Sequence, residues 1–172
     1  MIDNIFNKLK ETTSDINEHM ETLRVLSTEC SNITEMGVRR CVSTWAFIEG
    51  LKSGKLVSID IKHPEDWGGN LKQVKKACKK KNIDFTFILG NTLDIVIDDT
   101  ELLFIDTQHT YKQLSQELAL HSSKVRKFII LHDTVSFPGL WQAVEEFIQL
   151  GVWEIKSHYT NNNGLTILER RQ

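Results

Sequence analysis

Four short apolar runs in this chain each end in a carboxylate: Ile33-Thr34-Glu35, Leu56-Val57-Ser58-Ile59-Asp60, Leu102-Leu103-Phe104-Ile105-Asp106 and Phe128-Ile129-Ile130-Leu131-His132-Asp133. Runs this short and this apolar, bounded by turn residues, are the pattern of strands buried on both faces of a parallel sheet. In an open α/β sheet, ligands bind at the carboxyl ends of the strands. Acids at four strand ends, with Gly37 after the first and histidines near the last two, point to one site assembled from separate loops.

The segments between these runs carry helical periodicity. Ile16, Met20, Leu23 and Leu26 recur at helical spacing after Ser14, a residue suited to an N-cap, and predict a helix over about residues 14–28. The first strand is expected at about 32–36, a helix from Ser43-Thr44-Trp45 to Gly50 or Gly54, and the second strand at about 56–60. A lysine-rich helix follows over about 69–80, then a third strand at 84–89 closed by Gly90-Asn91. After a short segment, Leu93–Ile97, come a fourth strand at 101–106, a helix carrying Tyr111, Leu114, Leu118 and His121 on one face, and a fifth strand at 127–132. Pro138-Gly139 introduces an amphipathic helix, Leu140–Gln149. Two last strands, 152–158 and 164–169, flank Asn161-Asn162-Asn163-Gly164, a hairpin turn signal. Residues 1–13 are polar and read as a frayed or loosely helical extension.

Strand and helix alternate five times before the hairpin, so the expected fold is α/β. It is a Rossmann-like, seven-stranded, mostly parallel sheet with helices on both faces and a C-terminal antiparallel hairpin. The 172 residues read as a single domain, with a core over 32–169.

Composition narrows the function classes. A formal net charge of −2 gives no reason to expect a nucleic-acid partner. The lysines at 72, 75, 76, 79, 80 and 81 fit the solvated face of a helix whose other side carries Leu71, Val74 and Cys78. No apolar stretch approaches the roughly 20 residues needed to span a bilayer. The N-terminus lacks the basic flank and apolar core of a signal peptide. Three cysteines without a CxxC pair argue against a disulfide framework or structural zinc site, so a cytoplasmic location is expected.

Taken together, the element order, hairpin and strand-end acids resemble the class I S-adenosylmethionine-dependent methyltransferases over about residues 14–169. The segment Glu35-Met36-Gly37-Val38-Arg39-Arg40-Cys41-Val42-Ser43-Thr44 is similar to that family's nucleotide loop after the first strand. Phe104-Ile105-Asp106-Thr107-Gln108-His109-Thr110-Tyr111 resembles the strand-four signature of a small-molecule branch. That branch is related to catechol O-methyltransferase, sugar O-methyltransferases and cephalosporin hydroxylase-type proteins. Leu131-His132-Asp133-Thr134 and the following Pro138-Gly139-Leu140-Trp141 fit the same branch. Three positions depart from the family pattern: Cys41 replaces a second loop glycine, Gln108 stands where many relatives carry an acid, and Thr134 stands where catechol-type enzymes have asparagine.

The resemblance implies an S-adenosylmethionine cofactor, transfer of its methyl group to a hydroxyl of a small molecule such as a sugar or glycan precursor, and room for a homodimer. Asp60 is expected to accept hydrogen bonds from the two ribose hydroxyls, as strand-two acids do in dinucleotide sites; the bland alternative is a loop acid. Gly37 is expected to turn the loop toward the cofactor. Glu35 either takes the cofactor's amino group or braces the loop, and Ser43 either borders the cofactor or caps the next helix. Asn91, after strand three, is placed beside the adenine or in an ordinary turn. Asp106 and His109 are the catalytic candidates, with Asp106 beside the methyl donor and His109 as a base for the acceptor hydroxyl. Asp106 and Asp133 are the candidate ligands of a divalent cation such as magnesium. His19 and Trp67 are the remaining side chains weighed for the cleft. The alternative reading is a non-catalytic S-adenosylmethionine-binding or assembly protein of the same fold. A nicotinamide enzyme is disfavoured because the loop lacks GxGxxG.

Overall fold

Alternate side chains of each central strand enter two different cores. Leu102 and Phe104 pack with residues of the first four helices, while Leu103 and Ile105 pack with residues of the last two. Burial on both faces is why these runs read as continuous apolar sequence. In the computed structural model, which describes residues 2–171, the helices are α1 (Ile2–Glu11), α2 (Met20–Ser27), α3 (Val42–Gly50), α4 (Leu71–Lys80), α5 (Tyr111–His121) and α6 (Pro138–Ile148). The strands are β1 (Asn32–Met36), β2 (Gly54–Asp60), β3 (Ile83–Leu89), β4 (Thr100–Ile105), β5 (Val125–His132), β6 (Trp153–Tyr159) and β7 (Leu165–Arg170).

They form one seven-stranded sheet in the order β3-β2-β1-β4-β5-β7-β6. Pairing is parallel from β3 through β5 and antiparallel where β7 meets β5 and β6. This is the expected Rossmann-like architecture. The strand order reverses between β1 and β4, and a crevice opens at such a switch point. Asp60 ends β2, while Asp106 and Asp133 directly follow β4 and β5. Among the described residues no helix is long and apolar enough to cross a membrane.

The short segment expected between β3 and β4 is a 3-10 turn, Thr92–Asp94, followed by an extended stretch in which Ile97 is buried by packing. One element differs from the sequence expectation: the N-terminal extension, read as frayed or loosely helical, is the regular helix α1. Phe6 is buried, and Ile2, Ile5 and Leu9 pack against the same core. Their spacing is helical, but the charged residues between them mask it.

The lysine-rich helix does present a solvated face, with Leu71, Val74, Ala77 and Cys78 inward. Asn70 caps its start by accepting from the Gln73 amide. Lys81 is an exception to the solvated set. Its Nζ donates to the carbonyls of Ile48 and Glu49 at 2.8 and 2.7 Å, closing the C-terminal end of α3.

Glu35 joins three elements. It is fully buried in β1, and its carboxylate receives hydrogen bonds from Ser43 at 2.6 Å, Thr44 at 2.9 Å and Ser58 at 2.6 Å. Those donors belong to α3 and β2, so one acid ties the first β-α-β unit together. Burial pushes its pKa up to about 7, against the pull of the three hydroxyls.

Two outcomes are expected. Phe6→Ala should lower unfolding free energy by about 3 kcal/mol in urea titrations, the usual cost of emptying an aromatic core site; an undocked α1 would give almost no change. Because the folded pKa of Glu35 lies above its ordinary value of 4.5, its contribution is present below that value and is lost as pH rises through about 7. Glu35→Gln should therefore remove a decline of roughly 3 kcal/mol between about pH 5 and pH 8, read from urea midpoints at both pH values.

Candidate active site

The loop after β1 is shaped by one close contact. Gly37 has φ +85°, and a β-carbon there would lie 1.9 Å from the backbone oxygen of Asp106. No other residue type fits. The Gly37 amide donates to the Ile59 carbonyl at 2.9 Å, and the Asp106 amide to the Met36 carbonyl at 2.8 Å. The ends of β1, β2 and β4 are thereby drawn together.

Asp60 grips the same loop. Its Oδ2 accepts from the amides of Val38 and Arg39 at 2.7 and 2.9 Å, and its Oδ1 from the Lys62 amide at 2.9 Å. A carboxylate has about four acceptor positions, so three are occupied by backbone. Asp60 is thus a loop organiser with about one acceptor position left facing the cleft.

Two recesses open above these strand ends and share Gly37, Arg39 and Asp106. The larger, about 650 Å³, is bordered by Asp60, Trp67, Asn91 and Gln113. The smaller, about 390 Å³, lies between the loop and the segment joining α1 to α2, and is bordered by Ser14, Asp15, Arg40 and Ser43. Arg39 forms an ion pair with Asp15 across it. Arg40 Nε donates to the Trp67 carbonyl at 3.0 Å, and the Lys62 ammonium lies 4.9 Å from the centre of the Trp67 ring. Trp67 thus anchors its loop and also walls the larger recess.

Sequence-predicted residues fall on both sides of this boundary. Gly37, Asp60, Asn91 and Asp106 border the larger recess, and Ser43 borders the smaller while donating to Glu35. Glu35 borders neither, because burial places it behind the loop. Asn91 also caps the following turn, its side chain accepting from the Leu93 amide at 3.1 Å. Cys41 takes the left-handed conformation a glycine would occupy, with φ 66°, and its side chain is fully buried in the core. Burial pushes its thiol up to about 12, so it is chemically quiet.

Sequence reasoning missed Glu117. This acid of α5 is fully buried and receives hydrogen bonds from Thr92 at 2.5 Å, Thr107 at 2.8 Å and Gln113 at 2.9 Å. All three donors border the larger recess. The available signal was its place beside Leu114 and Leu118 on the inward face of the helix.

At the other end of Asp106 stands a cluster of two acids and two imidazoles. His109 Nε2 lies 2.8 Å from Asp133 Oδ2 and 3.3 Å from Asp106 Oδ1. His132 Nδ1 lies 3.3 and 3.4 Å from the same two oxygens. Hydrogen bonds to Asp106 and Asp133 push the His109 pKa up to about 9. Burial opposes the charged form of His132, but the two carboxylates prevail and push it up to about 10. Burial likewise tends to raise both acids, and the imidazoles hold them below the usual carboxylate range. The two carboxylates thus favour the protonated form of His109, the residue expected from sequence to act as a base.

Asp133 itself is left-handed, with φ 61°, a conformation costing roughly 1–2 kcal/mol for a residue bearing a β-carbon. The β6–β7 turn holds its loop. Val135 and Ser136 amides donate to the Asn163 carbonyl, at 3.0 and 3.1 Å. The same turn clasps the segment after α1: Asn162 donates to the Ser14 carbonyl at 2.9 Å and accepts from the Glu18 amide at 3.2 Å. His19 is buried in this clasp, with Nε2 3.1 Å from the Asn161 carbonyl, and packs edge-on against His132.

No protein-family model matches the chain, and no curated protein matches it in sequence. Solved structures do resemble it. Cofactor-bound Rv0187 from MTB superposes with a TM-score of 0.71 at 12% identity, covering 99% of this chain and 90% of that one. The O-methyltransferase from Bacillus cereus in complex with SAH gives 0.63 at 15% identity, with 99% and 89% covered. The SAH-bound Podospora anserina methyltransferase PaMTH1 gives 0.62 at 13% identity, with 99% and 88% covered. The architecture of this chain is the Rossmann-like fold of the class I S-adenosylmethionine-dependent methyltransferases.

Proposed function

We propose that this protein is an S-adenosylmethionine-dependent O-methyltransferase acting on a hydroxyl of a small molecule, with sugars and glycan precursors among its acceptors. One observation carries the reading: the recess of about 650 Å³ at the switch point, whose wall includes Asp106, itself a member of the acid–imidazole cluster. Its size is that of a small-molecule site, and two of the three structures described above are recorded with SAH.

The residues present fit the cofactor. Trp67 offers an aromatic face, Asn91 and Gln113 offer amides, and Asp60 retains an acceptor position. Cys41, the departure from the family loop, does not obstruct the recess, because its side chain points into the core. When bound, the cofactor supplies an electrophilic methyl group on a sulfonium centre. The protein's part is largely positioning, holding donor and acceptor in line at near-attack distance. Gly37 and Asp60 set the loop, and Glu117 steadies Thr92, Thr107 and Gln113 on the opposite wall. Asp106 stands between the larger recess and the cluster. His109, the more exposed of the two imidazoles, is assigned to the acceptor side, where its ring, held by the carboxylates of Asp106 and Asp133, meets an approaching hydroxyl.

Calorimetry with S-adenosylmethionine and SAH should give saturable one-to-one binding, weakened about tenfold to a hundredfold in Asp60→Ala. Absence of heat from either ligand would overturn both the enzyme and the cofactor-binding alternative. Labelled methyl transfer to a panel of hydroxylated acceptors then separates those two readings, since binding without transfer favours the non-catalytic protein. His109→Ala should cut turnover by about a hundredfold while leaving cofactor affinity within about twofold. Loss of cofactor binding in that variant would move His109 into the nucleoside half of the cleft.

A further inference from the structure

We propose that Glu117 is a positioning residue: it locks the side-chain amide of Gln113 with its oxygen toward the larger recess, which thereby selects a base bearing a 6-amino group over its 6-oxo counterpart. The inference rests on the reading of that recess as the nucleoside pocket. It adds which side chains discriminate among bases and what holds them in place.

The Gln113 amide has no freedom to turn over. Its Nε2 donates to Glu117 Oε1 at 2.9 Å and to Thr92 Oγ1 at 3.3 Å. A carboxylate only accepts hydrogen bonds. Thr92 donates its single hydroxyl proton to the same carboxylate at 2.5 Å, so toward Gln113 its oxygen only accepts as well. Both neighbours therefore require the nitrogen end of the amide, an assignment that follows from the count of protons. Glu117 and Thr92 are themselves fixed. Both are buried, the Thr107 hydroxyl donates to Glu117 at 2.8 Å, and His121 Nε2 lies 3.0 Å from the Thr92 carbonyl.

What remains is an acceptor turned outward. Gln113 Oε1 accepts no hydrogen bond from the described residues. Among those residues the one buried side-chain atom without a partner is His132 Nδ1, so the Gln113 oxygen is accessible, and the cavity its residue borders is the larger recess. Asn91 supplies the opposite polarity. Its Oδ1 accepts from the Leu93 amide at 3.1 Å, which leaves its amide nitrogen as a donor at the same recess. Asn91 adjoins Thr92, and Thr92 holds the Gln113 amide, so donor and acceptor belong to one braced wall. A 6-aminopurine carries an amino donor next to a ring-nitrogen acceptor and complements this pair. A 6-oxopurine carries an oxygen acceptor next to a ring N–H and is mismatched at both positions, and a site built for hydrogen bonds rejects a ligand that leaves them unmade. Trp67 borders the same recess and offers the aromatic face a base requires.

The test compares SAH with its 6-oxo analogue, S-inosylhomocysteine, by calorimetry on the full-length protein. The unmodified protein should bind SAH at least about thirtyfold more tightly than the analogue. Gln113→Leu, at a part-exposed position, should weaken SAH about tenfold while leaving the analogue within about twofold. Glu117→Gln, which lets the amide turn over, should bring the two affinities within about threefold of each other. Because Glu117 is buried, circular dichroism must show that its variant folds; Gln113→Leu keeps the test decisive if it does not. A brace with no part in recognition would weaken both ligands equally, so an unchanged affinity ratio in Gln113→Leu overturns the proposal. Equal affinities in the unmodified protein overturn it too, and leave the cofactor reading standing. Absence of SAH binding would instead overturn the cofactor reading, and this inference with it, so the two failures are distinguishable.

Discussion

Gly37 lies so close to the Asp106 carbonyl that a single β-carbon would collide with it, and much of the cleft is organised around that contact. It joins the end of β1 to the end of β4, which leads into the acid–imidazole cluster. With these ends drawn together, Asp60 can reach across to the amides of Val38 and Arg39 and hold the loop open above the sheet. The close approach therefore comes before both recesses. It also gives Asp106 two surroundings at once, the wall of the larger recess on one side and the imidazoles on the other.

Two fully buried acids stand behind the cleft and stiffen it in the same way. Glu35 collects three hydroxyls from α3 and β2, and Glu117 collects two hydroxyls and an amide from the opposite wall. A buried carboxylate without partners is strongly disfavoured, so each satisfied acid specifies where its donors must sit. The Asn161-Asn162-Asn163 turn does similar work from outside. It links the segment after α1 to the loop bearing Asp133, and buries His19 against His132 in doing so.

The fold was largely legible because its signals are local. Seven strands, the terminal hairpin and the solvated lysine face follow from periodicity and turn chemistry, and they stand near their expected positions. The misreading at the N-terminus has a physical cause: in α1, charged residues hide an apolar face that becomes visible only once the α3 core exists to receive it. Between β3 and β4 the short acidic segment is held by packing at Ile97 and by the Thr92 hydroxyl.

The site divides along the same line. The strand-end acids, Gly37 and the position of His109 were readable, because strand polarity alone places them at one edge of the sheet. Their partnerships were not readable, because those depend on residues distant in sequence meeting in a dry interior. Sequence by itself determined the architecture, the edge of the sheet at which the strand-end acids gather and the chemical types found there. Only the tertiary structure decided that Glu35 is a brace, that Asp60 is mostly engaged by backbone, and that His109 and His132 share the oxygens of Asp106 and Asp133. The reason is burial: desolvation and satisfied hydrogen bonds assign each group its role, and neither exists until the chain has closed around it.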